Sequence, residues 1–198
     1  MLEYYVIYQN LSLMKKNLLM PTVGLFAVLL LFSCIKDTNF DDAQNIALTP
    51  VVELDLIYFN VDAGEFYDSI TNTSILTLRD TTEIRFLDDT DFRESLIRAE
   101  FQFNFTNSIP REFMVDFQFL SEENEETFVT GTIVNQGTEQ APVFTQFIEN
   151  VEGEEVLQLT LANKVVVTIT IPSSDASLRG ILNLQSKTTY YLEIKDRG

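Results

Sequence analysis

From residue 50 onward, apolar and polar side chains alternate with period two in short runs separated by turn-forming residues, which is the signature of β-strands buried on one face. The two clearest runs are residues 97–105 and 113–119. In the first, Ile97, Ala99, Phe101, Phe103 and Phe105 share one face while Arg98, Glu100, Gln102 and Asn104 occupy the other. In the second, Phe113, Val115, Phe117 and Phe119 line one face. The link over residues 106–112 holds Asn107, Ser108 and Pro110, so the pattern predicts an antiparallel hairpin of adjacent strands. Further strands are predicted at residues 51–59, 74–78, 83–87, 127–134, 143–148, 165–171, 178–184 and 189–194. Short strands, short connections and no long helical period make an all-β fold, an antiparallel two-sheet β-sandwich of immunoglobulin-like type.

Residues 154–163 fit two periods. Leu157, Leu159 and Leu161 alternate as a strand would, and Val156, Leu157, Thr160 and Leu161 form a helical stripe. Strand is narrowly preferred. One short helix near residues 153–163 is the alternative, favoured if the acidic run at 152–155 sits at a helix N-terminus, where the dipole welcomes negative charge.

The N-terminal region follows a different logic. Lys15 and Lys16 precede a mostly apolar stretch at residues 18–32, interrupted by Pro21 and Gly24, and the stretch ends in Leu31-Phe32-Ser33-Cys34, which holds the only cysteine. A basic n-region, a short apolar core and a small residue at the end are the secretory pattern. The last four residues resemble the bacterial lipobox, and that resemblance implies cleavage before a diacylated Cys34. Residues 1–13 carry one charge and no basic residue, so they read as a non-native extension ahead of a start at Met14. The expected organisation is a signal peptide at 14–33, a lipidated tether at 34–49 and the sandwich at 50–198. Lys36-Asp37 and Asp41-Asp42 resemble the short acidic export signals of some Gram-negative lipoproteins, and Ile35 lacks the retention-type aspartate. Both features point to the outer membrane, with the domain facing the cell surface as one option.

Charge narrows the partners. The chain carries 13 basic and 30 acidic side chains, and removing residues 1–33 leaves 11 against 29, a net charge of −18. Such a surface repels phosphate backbones, so nucleic acid is excluded and membrane attachment must come from lipid at Cys34. With its one cysteine committed, the fold has no disulfide and must rest on packing. Sixteen phenylalanines and no tryptophan supply the area, at about 1.5–3 kcal/mol per buried large side chain.

Candidate chemistry is thin. There is no histidine, which removes serine–histidine triads and the commonest metal ligand. Carboxylate pairs are the remaining ordinary hydrolytic device, and a carboxylate-dependent glycoside hydrolase is the enzymatic alternative. Calcium would take its oxygen ligands from Asp88, Asp89 and Asp91 with Glu94, or from the acidic run at residues 122–126. The acidic run at residues 122–126 reads as a solvated hairpin tip, and Asn60, Asp62 and Asp68 form a looser cluster around Gly64. A glycan platform would be built from tyrosines, with Tyr58, Tyr67, Tyr190 and Tyr191 as candidates. The expectation is a non-catalytic envelope lipoprotein with a protein or glycan partner.

Overall fold

The computed structural model describes residues 47–84, 87 and 89–195, all within the compact unit Ile46–Gly198. The lipobox, Cys34, Met14 and the tether up to residue 46 lie outside the described residues.

Two four-stranded antiparallel sheets face each other. The strands are β1 (Ala47–Leu48), β2 (Val51–Asp62), β3 (Tyr67–Asp68), β4 (Thr73–Ser74), β5 (Thr77–Glu83), β6 (Leu96–Asn107), β7 (Phe113–Leu120), β8 (Glu126–Val134), β9 (Val143–Glu152), β10 (Lys164–Thr170), β11 (Ile181–Leu192) and β12 (Ile194–Lys195). Two short helices, α1 (Thr90–Ser95) and α2 (Glu154–Leu159), and a 3-10 turn at Ala63–Phe66 lie among the described residues. The front sheet runs β2-β11-β6-β9 and the back sheet β5-β10-β7-β8. Among these eight strands the first pairs with the last, β5 with β10, β6 with β9 and β7 with β8. Such nested pairing is the jelly roll, a sandwich whose connectivity differs from the immunoglobulin arrangement.

That connectivity corrects the predicted hairpin. β6 and β7 are consecutive but belong to different sheets, and their phenylalanine faces meet across the interior rather than side by side. Phe103 stacks on Phe117 with ring centroids 4.0 Å apart, and Phe101 meets Phe119 at 5.1 Å. Two strands with one fully apolar face each satisfy the alternation equally well as neighbours or as opposite walls. The link decides, and it is an arch organised by the buried Asn107. Its Nδ2 donates to Arg111 O (2.8 Å) and Asn135 O (2.9 Å), while its Oδ1 accepts from Ile109 N (2.8 Å). The arch is zipped to the start of β11, where Ile181 N donates to Ser108 Oγ (2.8 Å) and Ser108 N to Ile181 O (3.0 Å). Gly180 makes the close approach possible: its φ is +115°, and a Cβ there would lie 2.4 Å from Ser108 O.

Other boundaries also move. The strands predicted at 178–184 and 189–194 are one twelve-residue strand, β11, because the polar Gln185-Ser186-Lys187 run stays extended, paired without a break to β6 and facing a bulge of β2 rather than forming a turn. Ile97 is half-exposed rather than buried, since the register with β11 shifts between Tyr191 and Leu192 and Leu96 takes the inward position. Residues 154–159 are helical, not a strand: Gly153, at φ +61°, ends β9, and α2 then buries Val156 and Leu159. Of the strand expected at 83–87, Glu83 is the last residue of β5, and Ile84 and Leu87 lie outside any strand. Ala47 and Leu48 pair with Lys195 and Ile194, so the last residues assigned to the tether belong to the sandwich.

Candidate ligand-binding face

The outward side of the front sheet is assembled by strand alternation. On β11, Leu182, Leu184, Ser186, Thr188 and Tyr190 are buried, which turns Ile181, Asn183, Gln185, Lys187 and Tyr191 outward. Register then sets these residues in rows across the four strands. One row is Asn60, Asn183, Thr106 and Phe144; the next is Tyr58, Gln185, Asn104 and Gln146. Neither row carries a charge, in a chain of net charge −17. At ~4.8 Å between strands, four positions span about 14 Å.

Hydrogen bonds hold these amides in place. Asn183 Nδ2 donates to Asn60 Oδ1 (3.0 Å), and Asn60 Nδ2 donates in turn to the Tyr58 hydroxyl (3.0 Å). Asn104 Oδ1 accepts from both Gln146 Nε2 (3.0 Å) and Gln102 Nε2 (3.2 Å). Each primary amide has two donors and an acceptor with two lone pairs, so these pairings leave hydrogen-bonding capacity on the surface. Beside them the bulge of β2 opposite Ser186 opens a depression of about 430 Å³ lined by Asp55, Leu56, Ile57, Tyr58, Gln185 and Ser186. The Tyr58 ring stands at its rim, 65% exposed.

Below these rows the same face becomes ionic. Lys187 pairs with Glu53 (3.4 Å), and Arg98 bonds Glu100 (2.9 Å) with its guanidinium carbon 4.2 Å from the centre of the Tyr191 ring. Arg98 therefore lies over the ring face that Tyr191 would otherwise offer. Tyr190 corrects the expected platform outright: it points into the core, 1% exposed, and meets Phe92 edge-on at 5.4 Å. Burial pushes its phenol pKa up, with the Thr188 hydroxyl acting in the opposite direction. Consecutive tyrosines on a strand must face opposite ways, so only one of the pair could be outside. Tyr67 lies apart on β3, half-buried, with its hydroxyl 3.4 Å from Asn72 Oδ1. Of the four tyrosines, Tyr58 alone joins the amide rows.

A second concavity, about 300 Å³, separates the edges β2 and β5. Phe59, Leu78, Val167 and Ile169 form its walls, and Glu65 and Asp80 reach its mouth. Each of these carboxylates serves the local backbone: Glu65 Oε1 accepts from Asp62 N (3.1 Å) and Asp80 Oδ1 from Thr81 N (2.8 Å).

The proposed calcium ligands scatter into structural roles. Asp89 caps α1 by accepting from Phe92 N (3.0 Å), Asp91 and Glu94 lie within that one-turn helix, and Asp88 is outside the described residues. Among the described residues, no three acidic or cysteine side chains gather as a metal site would require. Asp62 caps the 3-10 turn together with Glu65, and Asp68 caps the turn that follows β3. The run at 122–126 is the β7–β8 hairpin tip, folded around Ser121, whose Oγ accepts from Glu123 N (3.2 Å) and Glu125 N (3.3 Å). Sequence reading misses the amide rows, because amides on alternate strand positions are indistinguishable from ordinary solvated faces until register aligns them.

No protein-family model matches the chain, and no curated protein does. Solved structures similar in fold include a candidate secreted protein of Parabacteroides distasonis, at 13% identity over 62% of this chain and 38% of that one, with a TM-score of 0.44. The VP2 subviral particle of infectious bursal disease virus is similar at 7% identity over 72% of this chain and 32% of that one, TM-score 0.44. The enzymatically active domain of bacteriophage CBA120 tailspike protein 4 follows at 10% identity, 74% and 19% coverage, and TM-score 0.35. This chain thus spans well under half the length of each, and likenesses of this degree carry no functional argument.

Proposed function

We propose that the protein is a lipid-anchored binding module of the outer membrane that holds a glycan on the outward side of its front sheet and does no chemistry on it. The observation that carries this reading is the pair of uncharged rows centred on Tyr58, Asn60, Asn183, Gln185, Asn104 and Gln146. A sugar presents hydroxyls that both donate and accept, together with an apolar ring face. Fixed amides match the hydroxyls, and an exposed tyrosine ring beside a depression matches the ring face. Affinity benefits because the mutual amide bonds fix much of the geometry before the ligand arrives. The lipobox at Cys34 supplies the anchor, with two or more acyl chains giving stable attachment.

The test has two arms. On a glycan array, the wild-type chain should retain a defined set of sugars, Tyr58→Ala should lose them, and a chelator should leave them bound. A uniformly blank array, or retention indifferent to Tyr58→Ala, contradicts the binding face. Metabolic labelling with a fatty acid should mark the wild type and not Cys34→Ala; an unlabelled wild type contradicts the anchor.

A further inference from the structure

Among the described residues only two aromatic side chains are largely exposed, Tyr58 at 65% and Phe144 at 61%, and both lie on the outward side of the front sheet. Tyr58 is on β2, one edge of that sheet, and Phe144 is on β9, the other edge. Register places Tyr58 in the row with Gln185, Asn104 and Gln146, and Phe144 in the row with Asn60, Asn183 and Thr106. The two rings therefore occupy diagonal corners of the block that the rows make, and every other residue of the block is polar and uncharged. Three strand intervals across the sheet and two residues along it set the corners about 16 Å apart.

We propose that these rings are the two ends of one track, on which an uncharged linear oligosaccharide lies diagonally across the strands with one sugar stacked on Tyr58 and a later one on Phe144. The proposal rests on the glycan reading above and adds to it a second aromatic contact, a minimum ligand length and a charge class. A single sugar cannot touch both rings at that separation, so the ligand must be a chain. Between the rings, Asn183, Gln185, Asn104 and Thr106 offer donors and acceptors to its hydroxyls. The Tyr58 hydroxyl accepts from Asn60, two positions along β2 on the same face, which fixes that ring before the ligand arrives. Neither end of the track is walled by a strand: among the described residues none continues the sheet past β2 or β9. An interior stretch of a long polysaccharide therefore fits as well as a free oligosaccharide.

The charges around the block select against anionic sugars. Asp62 lies two positions beyond Asn60 on β2, opposite Ile181, and Asp55 lines the depression beside Tyr58. The two cations on these four strands, Lys187 and Arg98, are engaged by Glu53 and by Glu100 and Glu152. A uronate or sulfate on the track would meet carboxylates and no free cation, in the field of a chain of net charge −17. A neutral sugar meets no such repulsion.

An array of length-graded probes reads the track. The full chain is offered glucose, mannose, xylose and N-acetylglucosamine as monomers, dimers and hexamers, with glucuronate and galacturonate oligomers of matching length. The hexamer of at least one neutral series should be retained several-fold above its dimer, and the uronate hexamers should stay at background. Phe144→Ala should remove the hexamer's advantage at an unchanged melting temperature, and Phe144→Tyr should keep it. Met114→Ala, on the outward side of the back sheet, should match wild type. A monomer retained as well as its hexamer, a Phe144→Ala chain that keeps the advantage, a Phe144→Tyr chain that loses it, or uronates held as strongly as neutral sugars would each overturn the track. In any of these cases, retention that still depends on Tyr58 leaves the binding face standing, whereas a blank array removes both.

Discussion

The hydroxyl of Ser186 makes both hydrogen bonds that the backbone of Ile57 would otherwise make to a paired strand. Ile57 N donates to Ser186 Oγ (2.8 Å), and the same hydroxyl donates to Ile57 O (2.9 Å). Leu56 and Ile57 together oppose this one residue of β11, between the pairs Tyr58–Gln185 and Asp55–Lys187. That bulge switches the inward positions of β2 from even to odd numbers, from Val52, Leu54 and Leu56 to Ile57, Phe59 and Val61. It also opens the depression beside Tyr58, so a structural serine positions the candidate ligand face.

Ser186→Ala leaves a buried N–H and a buried C=O without partners, and the loss should be about 2 kcal/mol. Urea unfolding monitored by circular dichroism would show it as a lower midpoint at unchanged slope. A variant within a few tenths of wild type would mean that water replaces the hydroxyl at no cost.

Asn107 holds three backbone groups of the arch that carries the chain between the sheets. In Asn107→Asp the donor to Arg111 O and Asn135 O becomes a negative acceptor facing two carbonyls, and the cost should be about 3 kcal/mol or more. Asn107→Ala should cost less than the isosteric aspartate. The reverse order, measured by thermal unfolding, would show that the amide's donor role is not what holds the arch.

Phe117 is fully buried and stacks on Phe103 across the two sheets. Phe117→Ala removes the contact at the middle of the core and should destabilise by about 3–5 kcal/mol. Phe144→Ala, at 61% exposure on the outward face, should leave stability nearly unchanged. Comparable losses for the two would contradict the assignment of faces.

The alternation that places Phe101, Phe103 and Phe105 on one face and Phe113, Val115, Phe117 and Phe119 on another is enough to specify a buried aromatic core. It cannot say which strands are neighbours, because an apolar face looks the same whether its partner lies beside it or opposite. Local rules fail where long-range contacts dominate. Gln185-Ser186-Lys187 has the composition of a turn, and only β2 and β6 on either side keep it extended. Tyr58 stands out as a candidate from its residue type, while Asn60, Asn183, Gln185, Asn104 and Gln146 become a group only through strand register. The bonded amides of Asn60 and Asn183, for example, are 123 positions apart in the chain. Tyr190 is the corresponding error, a tyrosine whose parity on β11 sends it inward.

Two exposed turns carry a pH signature. Asp68 sits below the ordinary aspartate value of 3.8, first through the Thr71 hydroxyl and then through the backbone N–H groups of Ile70 and Thr71. Asp175 is lowered by the Ser177 hydroxyl and backbone, with Arg111 and Arg179 adding attraction. A carboxylate with a depressed folded pKa stabilises above its unfolded value and loses that contribution as pH falls through the folded one. Asp68→Asn should therefore be less stable than wild type at neutral pH, with the difference narrowing as pH drops below 3.8. A gap that widens in acid would contradict the sign.

The most direct measurement of the ligand face is nuclear magnetic resonance of the side-chain amides. With 15N-labelled protein, titration of a retained oligosaccharide should shift the amide resonances of Asn60, Asn104, Gln146, Asn183 and Gln185, while Asn107 in the arch stays fixed. Shifts confined to residues outside the two rows, or none in this group at saturating sugar, would contradict the assignment of the front sheet as the binding surface.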